Sequence, residues 1–587
     1  MSASRILAIV CAVAAVAFAL LPVPEFWITQ ANYIGVYALV VIGLVLLTGV
    51  GGLTSFGQAA FIGIGAYASA VLTTKMGWSP WATLPAGLVI TGACAWVIGV
   101  VTLRMSGHYL PLATIAWSIA IYYLFGSSEE LGKYDGIANL PAITAFGIDF
   151  SNSRAMFLLT WLFVGAGAWG LVNLLDSRPG RAIRALRTGV DMPEAMGVST
   201  ASLKIRIFLI ASLYASVAGW LLAHLQRAIS PGPFGLDTSL QVVVMLVTGG
   251  MAHVGGAILG TGIVAILRDQ LQVWLPALLG TAGHYEVIVF GALLVLLLRF
   301  APEGLWPWVT RLLPASKPRP VPPAAPLPRR EAVTRGQPLL EVRELQRRFG
   351  GLVAVDGIGF TVRAGEVVGL IGPNGAGKST TFNLVTGLLK PSEGEIRYRG
   401  ERIDSLPTRD IAALGISRTF QHVMLVPGMS VLENVAIGAY RRAPVSMTAA
   451  TLRLDRKLEA SQLAEAARAI QRVGLGEVMH AEATSLALGQ QRLVEIARAL
   501  CADPALLMLD EPAAGLRELE KQSLAKLLAE LRDEGMGILL VEHDMQFVMQ
   551  LTDHIVVMVF GRKIAEGAPQ AVQSNPAVLE AYLGGIE

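Results

Sequence analysis

A boundary near residue 300 divides this sequence into two materials that cannot share one solvent. Of the first 300 residues 25 are Asp, Glu, Lys or Arg, about 8%, whereas the remaining 287 carry 64, about 22%. Soluble domains carry charge on about a quarter of their residues, so the second half reads as water-soluble and the first as lipid-soluble. That division excludes a wholly soluble enzyme, a secreted disulfide scaffold and a disordered chain. A formal net charge of +3 on 587 residues gives no reason to propose nucleic acid as a partner. Cys11, Cys94 and Cys501 lie far apart with no C-x-x-C spacing, and read as small apolar filler rather than metal or redox residues.

A helix that crosses a bilayer needs about 20 mostly apolar residues. Candidate spans are residues 5–23, 30–50, 56–74, 81–103, 108–126, 154–176, 205–226 and 285–300, with a longer stretch, 239–275, that stays open. The first has a second reading as a cleaved signal peptide, with Arg5 ahead of it and Ala17-Phe18-Ala19 at its end. Six basic residues (Arg178, Arg181, Arg184, Arg187, Lys204, Arg206) against Asp191 and Glu194 mark the loop between spans as cytoplasmic. Counting back puts Arg5 and Arg104 inside, with Lys75 and the acidic stretch 127–153 outside.

An inside C-terminal half then needs an even number of crossings between Lys204 and Phe300, so 239–275 is either two crossings or a re-entrant excursion. Its break is Thr248-Gly249-Gly250-Met251-Ala252-His253-Val254-Gly255-Gly256. Irregular backbone at membrane depth persists only where protein or water covers it. A second glycine-rich stretch, Gly51-Gly52-Leu53-Thr54-Ser55-Phe56-Gly57-Gln58, opens onto Gly63 and Gly65. Two readings stand: interrupted segments that line a translocation path, with His253 on it, or glycines that only permit close helix packing. The loop itself reads as a short helix with Arg181, Arg184 and Arg187 on one face, then a second start at Pro193-Glu194, interrupted at Gly197. It is a docking element for a cytoplasmic partner or simply an inside-positive anchor.

Pro314, Pro318, Pro320, Pro322, Pro323, Pro326 and Pro328 follow, then Arg329, Arg330 and Arg335. Such a run favours extended geometry, forms no core and acts as a semi-rigid spacer. The expected organisation is a transmembrane domain over 1–312, a linker over 313–338 and a soluble domain over 339–587.

The soluble half declares itself at Val367-Val368-Gly369-Leu370-Ile371, a buried-strand run, followed by Gly372-Pro373-Asn374-Gly375-Ala376-Gly377-Lys378-Ser379-Thr380. This is the G-x-x-x-x-G-K-S phosphate loop in the strand-to-helix setting it requires, which predicts ATP binding. Gly372, Asn374, Gly375 and Gly377 let backbone N–H groups converge on phosphate oxygens, and the next helix adds its positive end. Lys378 supplies charge for the β- and γ-phosphates, Ser379 an oxygen for Mg²⁺, and Thr380 completes the motif. A second strand, Ala505-Leu506-Leu507-Met508-Leu509, ends in Asp510-Glu511 about 130 residues on. Asp510 emerges where the metal sits, and Glu511 is placed to orient or polarise the attacking water.

The order Phe349, Gly372–Thr380, Gln421, Leu486–Gln491, Asp510-Glu511 and His543 resembles an ABC-transporter ATPase. The resemblance implies that Phe349 stacks on adenine, that Gln421 contacts Mg²⁺ and senses the membrane domain, and that His543 contacts the γ-phosphate. Phe349-Gly350-Gly351-Leu352-Val353-Ala354-Val355, Arg418-Thr419-Phe420-Gln421, Leu432-Glu433-Asn434-Val435, Asp510-Glu511-Pro512-Ala513-Ala514-Gly515-Leu516 and Glu580-Ala581-Tyr582-Leu583-Gly584 narrow it to the G-type ATPase of branched-chain amino acid importers. The first half is similar to the M-type permease of the same systems, on Ser55-Phe56-Gly57-Gln58-Ala59-Ala60-Phe61, Gly65-Ala66-Tyr67, Glu194-Ala195-Met196-Gly197, Ile229-Ser230-Pro231 and Phe300-Ala301-Pro302-Glu303-Gly304-Leu305. The implied fold is multi-domain: an all-α polytopic transmembrane domain followed by an α/β P-loop ABC-type ATPase.

Two positions depart from the pattern. Ala487, in Leu486-Ala487-Leu488-Gly489-Gln490, stands where such ATPases place a serine, and Arg517 stands where Asn or Asp is usual. In the family the signature, here Ala487, Gly489 and Gln490, closes on ATP held by the opposite subunit. The resemblance therefore implies half a transporter that works with a second permease subunit, a second ABC ATPase subunit and a periplasmic substrate-binding protein. Its lipid setting is a bacterial inner membrane, with the ATPase cytoplasmic and the two ATP sites unequal. Branched-chain amino acids are the implied solutes; urea, short amides and aromatic acids are alternatives. An exporter or a non-transporting membrane ATPase are further alternatives, against which stand the short inner loops and the glycine-interrupted spans.

Overall fold

The structure, a computed structural model, describes residues 16–103, 105, 109–145, 147–279, 285–312, 320–331 and 333–583. Arg5, Cys11, Arg104, Pro314, Pro318, Gly584 and most of span 5–23 lie outside the described residues. The chain divides into two compact units, Met1–Leu175 with Ala201–Lys317, and Asp176–Thr200 with Pro318–Glu587.

Helices run in order α1 (Glu25–Leu44, continued by a π-turn, Val45–Val50), α2 (Gln58–Thr74), α3 (Pro80–Thr102), α4 (Tyr109–Ser127) and α5 (Ser153–Leu175). Two short helices of the second unit follow, α6 (Arg178–Ala185) and α7 (Asp191–Ala195). The first unit resumes with α8 (Thr200–Gln226), α9 (Leu236–Gly249), α10 (Val254–Leu279), α11 (Tyr285–Phe300) and α12 (Trp306–Arg311). Among the described residues six helices are long and apolar enough to cross a membrane: Glu25–Val50, α3, α4, α5, α8 and Val254–Ala277 of α10.

The open stretch 239–275 resolves into α9 and α10, broken at the anticipated glycines. With 14 residues, α9 is about 21 Å long, short of the ~30 Å hydrocarbon core. The glycines at the break serve close packing of these two helices. A Cβ on Gly249 would lie 1.8 Å from the Gly256 carbonyl oxygen. His253 is exposed at the turn. Polar side chains inside this unit find one another instead of water: Ser69 Oγ lies 2.7 Å from Thr83 Oγ1 and 2.9 Å from His224 Nε2, whose Nδ1 is 3.0 Å from the Pro141 carbonyl.

In the second unit a four-stranded antiparallel sheet of β1 (Pro338–Phe349), β2 (Leu352–Arg363), β4 (Glu393–Tyr398) and β5 (Glu401–Arg402) has the order β2-β1-β4-β5. The main sheet takes β3 (Val367–Ile371), β6 (Ile416–Arg418), β7 (Leu506–Asp510), β8 (Gly537–Val541), β9 (His554–Val559) and β10 (Arg562–Gly567) in the order β6-β7-β8-β3-β9-β10. Every residue of β3, β7 and β8 is buried, as a parallel sheet covered on both faces demands. Helices α13 (Lys378–Val385), α14 (Thr408–Leu414), α15 (Val431–Ala436), α16 (Met447–Thr451), α17 (Arg456–Arg472), α18 (Leu488–Cys501), α19 (Glu518–Asp533), α20 (Met545–Leu551), α21 (Pro569–Gln573) and α22 (Pro576–Leu583) complete the unit.

The linker corrects one expectation. Residues 320–331 are coil, yet Leu327 is buried in the core of this unit, and Arg330 gives its N–H to Asp503 Oδ2 at 2.7 Å. One leucine among the prolines supplies the apolar surface that the spacer reading assumed was missing.

Candidate functional site

The phosphate loop leaves the carboxyl end of β3 and turns into α13 at Gly377. That residue has φ +98°, and a Cβ there would meet the Ala354 carbonyl oxygen at 2.4 Å, so only glycine fits. Lys378 is buried and donates from Nζ to the carbonyls of Gly372 (2.7 Å) and Pro373 (2.9 Å). Burial pushes its pKa down, against the pull of Glu511 and Asp510. Asn374, Gly375 and Ser379 are exposed, with Thr380 half-buried beside them.

Asp510 closes β7, two strands from β3 in the parallel sheet, so its carboxylate and the phosphate loop emerge at the same sheet end. It is 4% exposed, and its Oδ1 has no hydrogen-bond partner among the described atoms. Burial raises its pKa; Arg418 opposes that shift and Glu511 adds to it. Glu511 follows in the left-handed region at φ +48°, held by its N–H to the Val541 carbonyl at 2.8 Å. A non-glycine residue kept there is strained, and such strain concentrates at functional sites. Its Oε1 lies 2.8 Å from His543 Nε2 and accepts from Gln421 Nε2 at 3.3 Å. His543 and Gln421, far apart in sequence, thus meet on one oxygen of Glu511.

Phe349 ends β1, exposed, with the Arg347 guanidinium 4.6 Å from its ring centroid. The signature packs beside the segment after Glu511: Gly489 faces Leu516 and Glu520, and Leu488 faces Gly515. Ala487 is the N-cap of α18 and supplies no capping side chain; Gln490 is half-buried on the first turn. Arg517 is the N-cap of α19, its N–H donated to Glu520 Oε2 at 2.8 Å.

Two supporting residues had no role in the sequence reading. Glu542 is buried and accepts from the N–H of Ala513 (2.6 Å) and of His543 (3.0 Å), tying the segment after Glu511 to the histidine. Its place between a strand end and His543 was the available signal. Arg418 donates to Asn383 Oδ1 (3.0 Å) and Thr386 Oγ1 (2.6 Å), with its guanidinium 4.9 and 4.6 Å from the ring centroids of Phe382 and Phe420. Burial lowers its pKa to about 10.

The basic loop docks within this unit. Arg178 lies 3.6 Å from the Tyr440 ring centroid and donates to the carbonyls of Tyr440 (2.6 Å) and Val445 (3.1 Å). Arg181 pairs with Glu459 and also donates to Gln462 Oε1 at 3.1 Å. Ala185, Met192, Ala195 and Met196 form an apolar cluster with Phe420, Val426, Met429 and Ile437. Phe420 directly precedes Gln421, so the docked loop and the Glu511 carboxylate are joined through two consecutive residues.

Among the described residues no group of three His, Cys, Asp or Glu is arranged to hold a metal alone. Cys501 is buried, its thiol pushed up to about 12 by burial, and Cys94 is half-buried; both are free thiols.

The family model described as the permease component of branched-chain amino acid transport systems matches residues 27–298. The ABC transporter model matches 355–514, and the branched-chain amino acid ATP-binding cassette transporter model matches 562–587. The high-affinity branched-chain amino acid transport ATP-binding protein LivG of Escherichia coli is 44% identical over 251 residues, 42% of this chain and 98% of that protein. BraF of Pseudomonas aeruginosa, with the same description, is 45% identical over 251 residues, again 42% of this chain and 98% of that one. A crystal structure of a nucleotide-free ATP-binding cassette from an ABC transporter is 31% identical, covering 42% of this chain and 99% of that chain at a TM-score of 0.38.

Proposed function

The chain belongs to the ABC transporters of the branched-chain amino acid type, a permease fused to its ATPase, and from that premise we propose that it imports branched-chain amino acids across a bacterial inner membrane. ATP binding and hydrolysis coupled to transport are the activity of its cassette. Transporters of this family work with partner subunits and a binding protein. In this reading the partners are a second permease subunit, a second ABC ATPase subunit and a periplasmic binding protein, with membrane lipid around the spans.

Phe349 stacks on adenine while the backbone of Gly372, Asn374, Gly375 and Gly377, with Lys378, Ser379 and Thr380, holds the phosphates. Lys378 exchanges its two loop carbonyls for phosphate oxygens. Glu511 accepts the proton of the attacking water through the oxygen that already faces His543 and Gln421, and His543 reaches the γ-phosphate. Ala487, Gly489 and Gln490 close on ATP bound by the partner ATPase.

Mg²⁺ fits these residues by the chemistry of the donor set: Asp510 Oδ1 is buried without a partner among the described residues, and Ser379 offers an exposed hydroxyl on the first turn of α13. Mg²⁺ takes few protein ligands where phosphates supply the rest. Ser379, Gln421 and Asp510 would hold it, and it would neutralise charge on the β- and γ-phosphates.

The observation that carries the reading is the run from docked loop to carboxylate, Met192 and Met196 in one apolar cluster with Phe420, then Gln421 on Glu511, in a chain whose other half matches a permease. The test is reconstitution of the full chain with its partner subunits and binding protein in proteoliposomes. ATP-dependent accumulation of labelled L-leucine is expected. Accumulation of urea, short amides or aromatic acids instead would change the solute, and uptake undiminished without ATP would overturn the reading.

A further inference from the structure

The first unit contains a buried polar site at the amino end of α2. After the π-turn of α1 the chain runs as coil through Gly51–Gly57 and re-enters helix at Gln58. Side chains from three places converge on this start. Thr114 Oγ1 of α4 accepts the Phe56 N–H at 3.1 Å, Ser55 Oγ accepts the Gly57 N–H at 3.4 Å, and Ser239 Oγ of α9 accepts the Ala59 N–H at 3.2 Å. Ser55, Thr114 and Ser239 are all buried.

Two polar side chains here are left over. Gln58 is 1% exposed, yet neither Nε2 nor Oε1 has a hydrogen-bond partner among the described atoms. Ser118, also 1% exposed, has an unpartnered Oγ. Gln58 is the first residue of α2, so its buried amide belongs to the turn that carries the positive end of the helix. Helices α2 and α4 run in the same direction, Gly57 facing Thr114 and Gly63 facing Phe125, which brings Ser118, one turn past Thr114, beside the first turn of α2. Burying an amide and a hydroxyl unpaired in an apolar unit costs several kcal/mol, a cost that a ligand accepting from those donors would offset.

We propose that the amino end of α2, with Gln58 Nε2 and Ser118 Oγ as donors, is a carboxylate subsite on the route of the solute through the permease. A positive helix end with an amide and a hydroxyl donor favours an anion at Gln58 Nε2 and Ser118 Oγ, while Gln58 Oε1, also unpartnered, is left to accept from a donor on the same solute. A carboxylate accepts only, and its two oxygens match two donors on neighbouring helices. Discontinuous helices whose amino ends meet substrate carboxylates are a general solution for transporting such solutes.

The inference rests on the amino acid reading above, and one experiment separates the two. The full chain with its partners is reconstituted as the parent, Gln58→Glu, Gln58→Met and Ser118→Ala, and labelled L-leucine uptake is followed against concentration of the loaded binding protein. Placing a second carboxylate in the subsite, Gln58→Glu is expected to cut uptake at least about tenfold; Gln58→Met, of similar length without donors, and Ser118→Ala are expected to cut it about three- to tenfold. Ser118→Ala loses a single hydroxyl and keeps the test open if a Gln58 variant does not assemble. Gln58→Met and Ser118→Ala with parental uptake and a raised melting temperature would mean that the site holds only structural water, which overturns the proposal. A parent that accumulates no leucine overturns the amino acid reading, and this proposal with it.

Discussion

Arg181 and Glu459 form an ion pair whose side chains are 5% and 8% exposed, although 278 residues separate them in sequence. Glu459 also accepts the Arg178 N–H at 3.1 Å, so a single carboxylate fixes the first turn of α6. Removing one member of a buried pair strands the other charge, at a cost of about 3–5 kcal/mol. Glu459→Ala is therefore expected to loosen the loop and to lower leucine uptake at least tenfold, with a much smaller loss of ATP hydrolysis. Parallel uptake and hydrolysis assays on the reconstituted complex check this, and equal losses in both would show that the pair is not a coupling contact.

The shared oxygen of Glu511 gives a second expectation. Glu511→Gln keeps the shape of the side chain and removes its basicity, so hydrolysis should fall by about 10²–10⁴-fold while ATP is still bound. His543→Ala should slow hydrolysis less, because Glu511 retains Gln421 as a neighbour. Nucleotide retention and single-turnover hydrolysis distinguish these outcomes. Loss of ATP binding in Glu511→Gln would assign the carboxylate to structure instead.

Much of this site was legible in the sequence because its pieces are short and local. The phosphate loop needs a strand, three glycines and a helix within a dozen residues, and the structure has β3, Gly377 and α13 in that order. The break at Gly249–His253 was visible for the same reason. What could not be read was long-range. Nothing near Arg181 announces Glu459, which lies on an amphipathic helix of ordinary pattern, so the sequence left the loop between anchor and docking element. The role of Arg418 is likewise long-range, since it joins α13 to Phe420 across the sheet end. Leu327 is invisible to composition, being one apolar residue among prolines.

Asp510 supports an argument from pH. Burial holds its carboxyl above the usual carboxylate range, with Arg418 opposing the shift. The folded chain therefore keeps a proton that the unfolded chain has already released. Stability falls as pH rises from the unfolded value through the raised folded one, and stays lowered above it. Asp510→Asn removes that penalty. Without nucleotide or Mg²⁺, its cassette should melt higher than the parent at neutral pH, and the gap should shrink in acid. The same variant should lose Mg²⁺-dependent ATP turnover. Calorimetry across pH in a chelating buffer, beside hydrolysis assays, checks both; a melting temperature below the parent's at neutral pH would contradict the argument.

Ala487 caps α18 with no side-chain oxygen. Serine at a helix N-cap contributes about 1 kcal/mol over alanine, so Ala487→Ser should stabilise this chain by that order. In the proposed assembly the same hydroxyl would also face ATP on the partner ATPase, the site that the alanine weakens. Ala487→Ser should then raise turnover of the whole complex, most clearly where the site on Lys378 is disabled. By the same reasoning Lys378→Ala in this chain should cost more hydrolysis than the equivalent change in the partner, because the Lys378 site is completed by the partner's signature. Hydrolysis by the two single variants and by each combined with Ala487→Ser measures the asymmetry. Equal losses from the two lysine changes, with no gain from the serine, would mean that both sites contribute alike and that Ala487 is only an uncapped helix end.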